Sequence, residues 1–222
     1  IVPVFNGARH LAEALRSVQA QDAAASEVIV VDDGSTDGCA ALVRTEFPTV
    51  RYLYQGNAGT GAARNRGAAA ATGAFLAFLD ADDLWTPDKL RLQLTAFSHE
   101  HELAMVFGHV RQFRSPELTA DEWRRRVVAQ EVMPGWHAGA MLVRREAFDR
   151  VGPFRPELRV GEFIDWYARA VELGLKQRLL PEIVMLRRLH RDNLGVKALE
   201  QRSSSYLRVL RAALDRRRCG PS

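Results

Sequence analysis

The residues Asp80-Ala81-Asp82-Asp83 carry the densest chemistry in this sequence, because they follow directly on the apolar run Phe75-Leu76-Ala77-Phe78-Leu79. Such a run reads as a strand buried on both faces, and three carboxylates at its C-terminal end cannot all be buried unpaired. A divalent cation such as Mg2+ or Mn2+ is the simplest counter-charge, since hard cations take carboxylate oxygens and keep positions open for phosphate oxygens. In open α/β sheets the ligand crevice lies outside the carboxyl ends of the strands, where this cluster falls. The competing reading is a turn and helix start, for which Thr86-Pro87-Asp88 provides a cap and a proline at the first helical position.

Such a cluster needs a sheet to position it. Ile1–Asn6 reads as a short strand, Leu11, Leu15 and Val18 mark one face of a helix, and Val28–Val31 is a β-branched strand ending in Asp32-Asp33-Gly34-Ser35. A third strand near Val50–Gln55 leads through a glycine-rich loop into the small-residue helix Ala62–Ala71, and the strand Phe75–Leu79 follows. Alternating strands and helices predict a mostly parallel α/β sheet with right-handed crossovers. The second half is less regular. Helices are expected at Leu90–His99 and Glu162–Leu173, and strands at Ala104–Phe113, Trp136–Val143 and Ile183–Leu189. A polar, Arg-rich connection spans Ser115–Pro134, and Lys197–Arg218 reads as a basic helix packed on the domain, with a membrane-surface or partner helix as the minority reading.

A chain of 222 residues can bury one sizeable core, and 47% hydrophobic with 26% charged residues is ordinary for a globular protein. The net charge of +4 comes largely from short arginine runs rather than one long stripe, so nucleic acid is not an expected partner. Cys39 and Cys219 make no disulfide framework, which fits a reducing cytoplasm, and no apolar run is long enough to span a bilayer. The opening Ile1-Val2-Pro3 looks like mid-strand, as if residues preceded it. His99-Glu100-His101-Glu102 fans around a helix end, and Gly56–Gly61 lacks the spacing of a dinucleotide or phosphate loop.

The chain resembles the family 2 glycosyltransferases, inverting enzymes of the GT-A fold that use nucleotide sugars. The resemblance rests on Pro3-Val4-Phe5-Asn6, Val30-Val31-Asp32-Asp33-Gly34-Ser35, Gly61-Ala62-Ala63-Arg64-Asn65, the DXD signature Asp80-Ala81-Asp82-Asp83, Val151-Gly152-Pro153-Phe154 and Arg188-Leu189-His190-Arg191-Asp192-Asn193. Each piece is common, but their order is specific. The resemblance implies one GT-A-like domain over 1–222, an α/β fold with a mostly parallel central sheet flanked by helices and an irregular acceptor-side second half. Residues 1–100 would bind the nucleotide sugar, 101–195 the acceptor, and 196–222 would form the helical tail.

It also implies roles. Pro3, Val4, Phe5 and Asn6 line the base pocket, Asp33 accepts a hydrogen bond from the nucleobase, and Arg64 lies against the base or its phosphates, chemistry that a carboxylate and a guanidinium can supply. Asp80 contacts the ribose or a metal-bound water, with Ala81 beside it. Asp82 binds Mn2+ or Mg2+, with His190 as a further ligand or a pyrophosphate contact. Asp83 either adds a metal contact through water or caps the next helix. The donor is expected to be a uridine diphosphate sugar, and the acceptor a glycan, lipid-linked or peptide group, with peripheral membrane contact through the basic tail an open option.

Inversion by direct displacement needs a general base opposite the leaving group. The family's Glu-Asp pair matches Gly161-Glu162-Phe163-Ile164-Asp165-Trp166, with Phe163 where the Asp would stand. Asp165 is the first choice and Glu162 the second, since residues three apart share a helix face; the alternative is that Glu162 serves the helix dipole and Asp165 pairs with Arg169. Trp136 and His137 are weaker candidates for the acceptor pocket. Phe163 keeps alive a catalytically degenerate nucleotide-sugar-binding scaffold. A sugar nucleotidyltransferase is less favoured, for want of a glycine- and basic-rich N-terminal phosphate loop.

Overall fold

A computed structural model describes residues 1–126, 131–191 and 193. The expected basic helix in 197–218 lies outside the described residues.

Two sheets build the domain. In the first, β1 (Val2–Val4), β2 (Ile29–Asp32) and β3 (Arg51–Tyr54) run parallel, with Val2 opposite Val30 and Ile29 opposite Arg51. Helix α1 (Ala8–Gln19) buries Leu11, Ala14, Leu15 and Val18, the stripe its apolar spacing requires. Helix α2 (Cys39–Glu46) buries Cys39 and Val43. Helix α3 (Thr60–Ala70) buries small residues against the sheet, and Gly67 explains its close approach: a Cβ there would lie 2.3 Å from Ile1 Cγ2.

The second sheet is mixed, in the order β4 (Phe75–Ala77), β8 (Leu142–Arg144), β6 (Met105–Arg114), β9 (Gln177–Leu189) and β5 (Leu84–Trp85), with β7 (Val132–Pro134) also paired to β6. β6 and β9 are parallel, while β4 pairs antiparallel with β8. The sheets meet beyond β4, where the Ile1 amine donates to the Ala77 carbonyl and the Leu79 amide donates to the Ile1 carbonyl, both at 3.0 Å. The expected strand Phe75–Leu79 is thus shorter and antiparallel to its neighbour, although Phe78 and Leu79 remain fully buried. The expected strand Trp136–Val143 divides into a 3-10 turn, Ala138–Ala140, and β8. Ile183–Leu189 is the last part of the longer β9, whose pairing with β5 carries Arg187, Arg188 and His190 past the acids. Helices α4 (Lys89–His99), α5 (Ala120–Arg126), α6 (Arg145–Val151) and α7 (Glu162–Glu172) complete the described elements. Among the described residues, no helix is long and apolar enough to cross a membrane.

A lysine with no exposed surface lies behind the site. Lys89 Nζ donates to Gln93 Oε1 at 2.6 Å and to the Met141 carbonyl at 3.3 Å, and sits 4.5 Å from the centre of the Trp85 ring. Gln93 in turn donates to the carbonyls of Val106 and Ala140. Burial pushes the lysine down to about 7. A group that loses its proton more easily when folded destabilises the fold wherever only the unfolded chain is protonated. Stability contributed at position 89 is therefore expected to rise with pH from about 7 towards the ordinary lysine value of 10.5. Lys89→Met should flatten that rise in the pH dependence of urea unfolding; an unchanged slope would remove Lys89 from this account.

Candidate functional site

The acids lie in the loop between β4 and β5, and each meets a different partner. Asp80 Oδ1 accepts from Arg64 NH2 at 2.6 Å, and Arg64 NH1 donates to Glu162 Oε1 at 2.5 Å. Arg64, on α3, is 3% exposed, lies 5.8 Å from the Phe154 ring centre and has a buried Nε with no hydrogen-bond partner. One guanidinium thus clamps a loop carboxylate to the first residue of α7, joining the two halves of the chain. Burial would by itself raise the Asp80 carboxyl, but Arg64, then His137, outweighs it and holds Asp80 below the usual carboxylate range. His137 Nε2 lies 3.7 Å from Asp80 Oδ2, and burial keeps its imidazole below the ordinary histidine value.

Asp82 faces His190. Its Oδ2 is 2.9 Å from His190 Nε2 and 3.3 Å from Asn193 Nδ2, while the Asn193 side chain also accepts from the His190 amide at 2.6 Å. Asp83 points away into the protein, where its Oδ1 accepts from the Arg188 amide at 2.8 Å. Burial, then the charges of Asp82 and Asp80, raises the Asp83 carboxyl well above its ordinary value. Asp83 does not cap the next helix: α4 begins after Asp88, and Asp83 instead ties its loop to β9. Arg188 reinforces this tie through its Nε on the Asp82 carbonyl, its pair with Glu13 and its position 4.6 Å from the Phe113 ring centre.

Asp33 is buried at the end of β2, where it accepts from Gln55 Nε2 at 2.7 Å and from the amides of Ala58 and Gly59 at 2.8 Å each. A carboxylate offers about four acceptor positions, so one is left. Asp32 serves the turn, accepting from Ser35 N and the Tyr52 hydroxyl. Pro3 and Val4 pair in β1, Phe5 stands 53% exposed beyond it, and Asn6 turns the chain at φ 49° while accepting from Thr36 N.

Asp165 differs from Glu162 in surroundings. Its side chain has no exposed surface, and its oxygens lie 3.0 Å from Arg169 Nε and 3.5 Å from Arg155 NH1. Those contacts fit the ion-pair reading of Asp165, whereas Glu162 meets Arg64, which also holds Asp80. Phe163 stacks with Trp166 and Tyr167 and meets Phe107 edge-on, so an apolar corner occupies the position where the family's acid would lie. Trp136, 43% exposed, packs on Phe107 and Tyr167 beside His137.

Sequence reading missed Arg187. Its positive charge contributes to lowering both Asp80 and His137, which places the guanidinium towards the acids. The signal was the pair Arg187-Arg188 ahead of His190, since alternate strand residues face opposite sides.

A parallel α/β unit with acids at the carboxyl end of its sheet, completed by a mixed sheet and the helix α7, is the GT-A glycosyltransferase architecture. Solved structures share it. S. aureus TarS 1–349 in complex with UDP has a TM-score of 0.69 at 21% identity, over 96% of this chain and 63% of that one. The mannosyltransferase PcManGT of Pyrobaculum calidifontis, in complex with GDP-Man and Mn2+, has a TM-score of 0.70 at 21% identity, over 100% and 64%. This chain belongs to glycosyl transferase family 2, whose profile matches residues 1–156. An uncharacterised glycosyltransferase of Nostoc sp. is 32% identical over 70% of this chain and 53% of its own length. Chondroitin synthase of Escherichia coli is 26% identical over 97% of this chain and 32% of its own length. The chain thus spans about half or less of these curated relatives.

Proposed function

We propose that this chain transfers a glycosyl unit from a nucleoside diphosphate sugar, with a uridine diphosphate sugar favoured, to an acceptor hydroxyl, inverting the anomeric carbon by direct displacement. The observation that carries the reading is the clamp in which Arg64 holds Asp80 of the donor side and Glu162 of the acceptor side within 2.6 Å. Glu162 takes the acceptor proton. Asp165 passes to a positioning role, because a carboxylate without exposed surface and between two guanidiniums cannot reach a substrate hydroxyl. Arg64, equally buried, sets the two carboxylates rather than lying against the base, and Arg187 meets the diphosphate.

The residues fit a divalent cation. Asp82 and His190 bring oxygen and nitrogen donors together at 2.9 Å, and that mixed set suits Mn2+ better than Mg2+, which prefers oxygen alone. When bound, the ion offsets charge on the departing nucleoside diphosphate. Asp33 receives the nucleobase imide through its remaining acceptor position, with Pro3, Val4, Phe5 and Asn6 along the base, Asp80 and Ala81 beside the ribose, and Trp136 and His137 facing the acceptor. TarS, solved with UDP and with UDP-GlcNAc, and PcManGT, solved with GDP-Man, support a nucleotide-sugar donor and make the base the point to test.

Titration calorimetry with UDP, CDP, GDP and dTDP, with and without Mn2+, is expected to give metal-dependent binding strongest for UDP and lost in Asp82→Ala. Preference for GDP would overturn the base assignment, and full binding by Asp82→Ala would overturn the metal assignment. Phe163 favours a second reading, a non-catalytic nucleotide-sugar-binding module, which would bind UDP-sugar yet neither hydrolyse nor transfer it.

A further inference from the structure

Beside His190 stand two residues for which the proposed reaction has no use. His10, on α1, places its ring 5.2 Å from that of His190, centre to centre. Glu117, in the turn after β6, reaches the same spot. Ligand atoms of His10, Glu117 and His190 all lie within 4.8 Å of one another. We propose that these three side chains form a site for a zinc-like divalent cation, distinct from the ion proposed at Asp82, with His190 between the two.

The donor set argues for this chemistry. Two imidazoles and one carboxylate are a ligand combination that zinc accepts, with a fourth position left to water. Neither ring nitrogen of His10 makes a hydrogen bond among the described residues, although the side chain is only partly exposed. A half-buried imidazole beside a carboxylate and a second imidazole, with no hydrogen-bond partner among the described residues, is placed as a ligand.

Glu117 is held ready. Its Oε2 accepts from the fully buried Ser115 hydroxyl at 2.5 Å and from Arg9 NH2 at 3.0 Å, contacts that fix the carboxylate without needing His10 or His190. Hydrogen bonds of this kind orient metal-binding carboxylates. The cation would compete with Arg9 for Glu117, and the Arg9 side chain, 61% exposed, can swing into solvent.

His190 links the two sites. Its Nε2 lies 2.9 Å from Asp82 Oδ2, and a carboxylate on one ring nitrogen orients the ring for a cation on the other. The zinc site does not depend on the proposed donor site.

The test uses the full chain without a histidine tag, titrated with Zn2+ alone in the absence of nucleotide. One Zn2+ per chain is expected in the wild type and in Asp82→Asn. His10→Phe, which keeps an aromatic ring on α1, and Glu117→Gln should each weaken binding at least tenfold while retaining the wild-type circular dichroism spectrum. Substitution with Co2+ should give visible absorption that both variants lose. Wild type that binds no Zn2+, binding unaffected by either variant, or binding lost only in Asp82→Asn would each overturn the site. Mn2+-dependent UDP binding should survive in His10→Phe and fail in Asp82→Asn, so failure of the donor site and failure of the zinc site give different patterns.

Discussion

Glu162→Gln is expected to lower turnover by about 10²–10⁴-fold while leaving donor affinity nearly intact, the range contributed by a positioned general base. The amide keeps the size of the side chain and one oxygen able to accept from Arg64 NH1, so the clamp is altered least where the base is removed. The measurement is a pair of values on one preparation, the dissociation constant for UDP with Mn2+ and the rate of sugar release from UDP-sugar with acceptor present. Asp165→Asn provides the contrast. Because Asp165 lies at 3.0 Å from Arg169 and 3.5 Å from Arg155 with no exposed surface, its loss should appear in thermal unfolding first. If Asp165→Asn instead abolishes turnover in a protein of unchanged stability, the base is Asp165 and Glu162 only serves the clamp.

Arg64→Met should destabilise the chain by about 3–5 kcal/mol, the cost of leaving buried charge uncompensated. Methionine nearly fills the volume, so the effect reports the lost cation rather than a cavity. Two carboxylates lose their partner at once, and the Asp80 carboxyl, held low chiefly by Arg64 against burial, would then rise. The double variant Arg64→Met, Glu162→Gln should recover part of the loss, since only one buried carboxylate then lacks a partner. Denaturant midpoints of the three proteins decide this, and no recovery in the double variant would mean that Glu162 and Arg64 are not coupled.

How far these features could be read in the sequence differs from element to element. The stripe Leu11, Leu15 and Val18 and the β-branched run at Val28–Val31 have one periodicity each, and they form α1 and β2 as expected. Phe75–Leu79 is apolar throughout, a pattern that parallel and antiparallel strands share, so nothing in it announced the pairing of β4 with β8. Trp136–Val143 holds glycine and alanine in its middle, and there the chain turns rather than pairs. Asp80 and Asp82 could be singled out because they follow a strand, but the roles of Glu162 and Asp165 could not be separated by spacing. Three residues apart on α7, they share a face, and what distinguishes them is Arg64 on one side and Arg155 with Arg169 on the other. His10 and Glu117 carried no signal at all, because their meeting with His190 depends on where α1, the end of β6 and the end of β9 converge.

The clamp also bears on how the chain acquires its site during synthesis. Arg64 and Glu162 are 98 positions apart, so their pairing closes most of the first three quarters of the sequence into one loop. Contacts this distant along the chain form late, after the loop-closure entropy has been met by other interactions. A ribosome-bound chain that has released β1 to α4 already contains Asp80 and Asp82, yet it holds no carboxylate opposite them. With Glu162 as the proposed base, sugar nucleotide captured at that stage would meet none, and the growing polypeptide would spend no donor before α7 has docked.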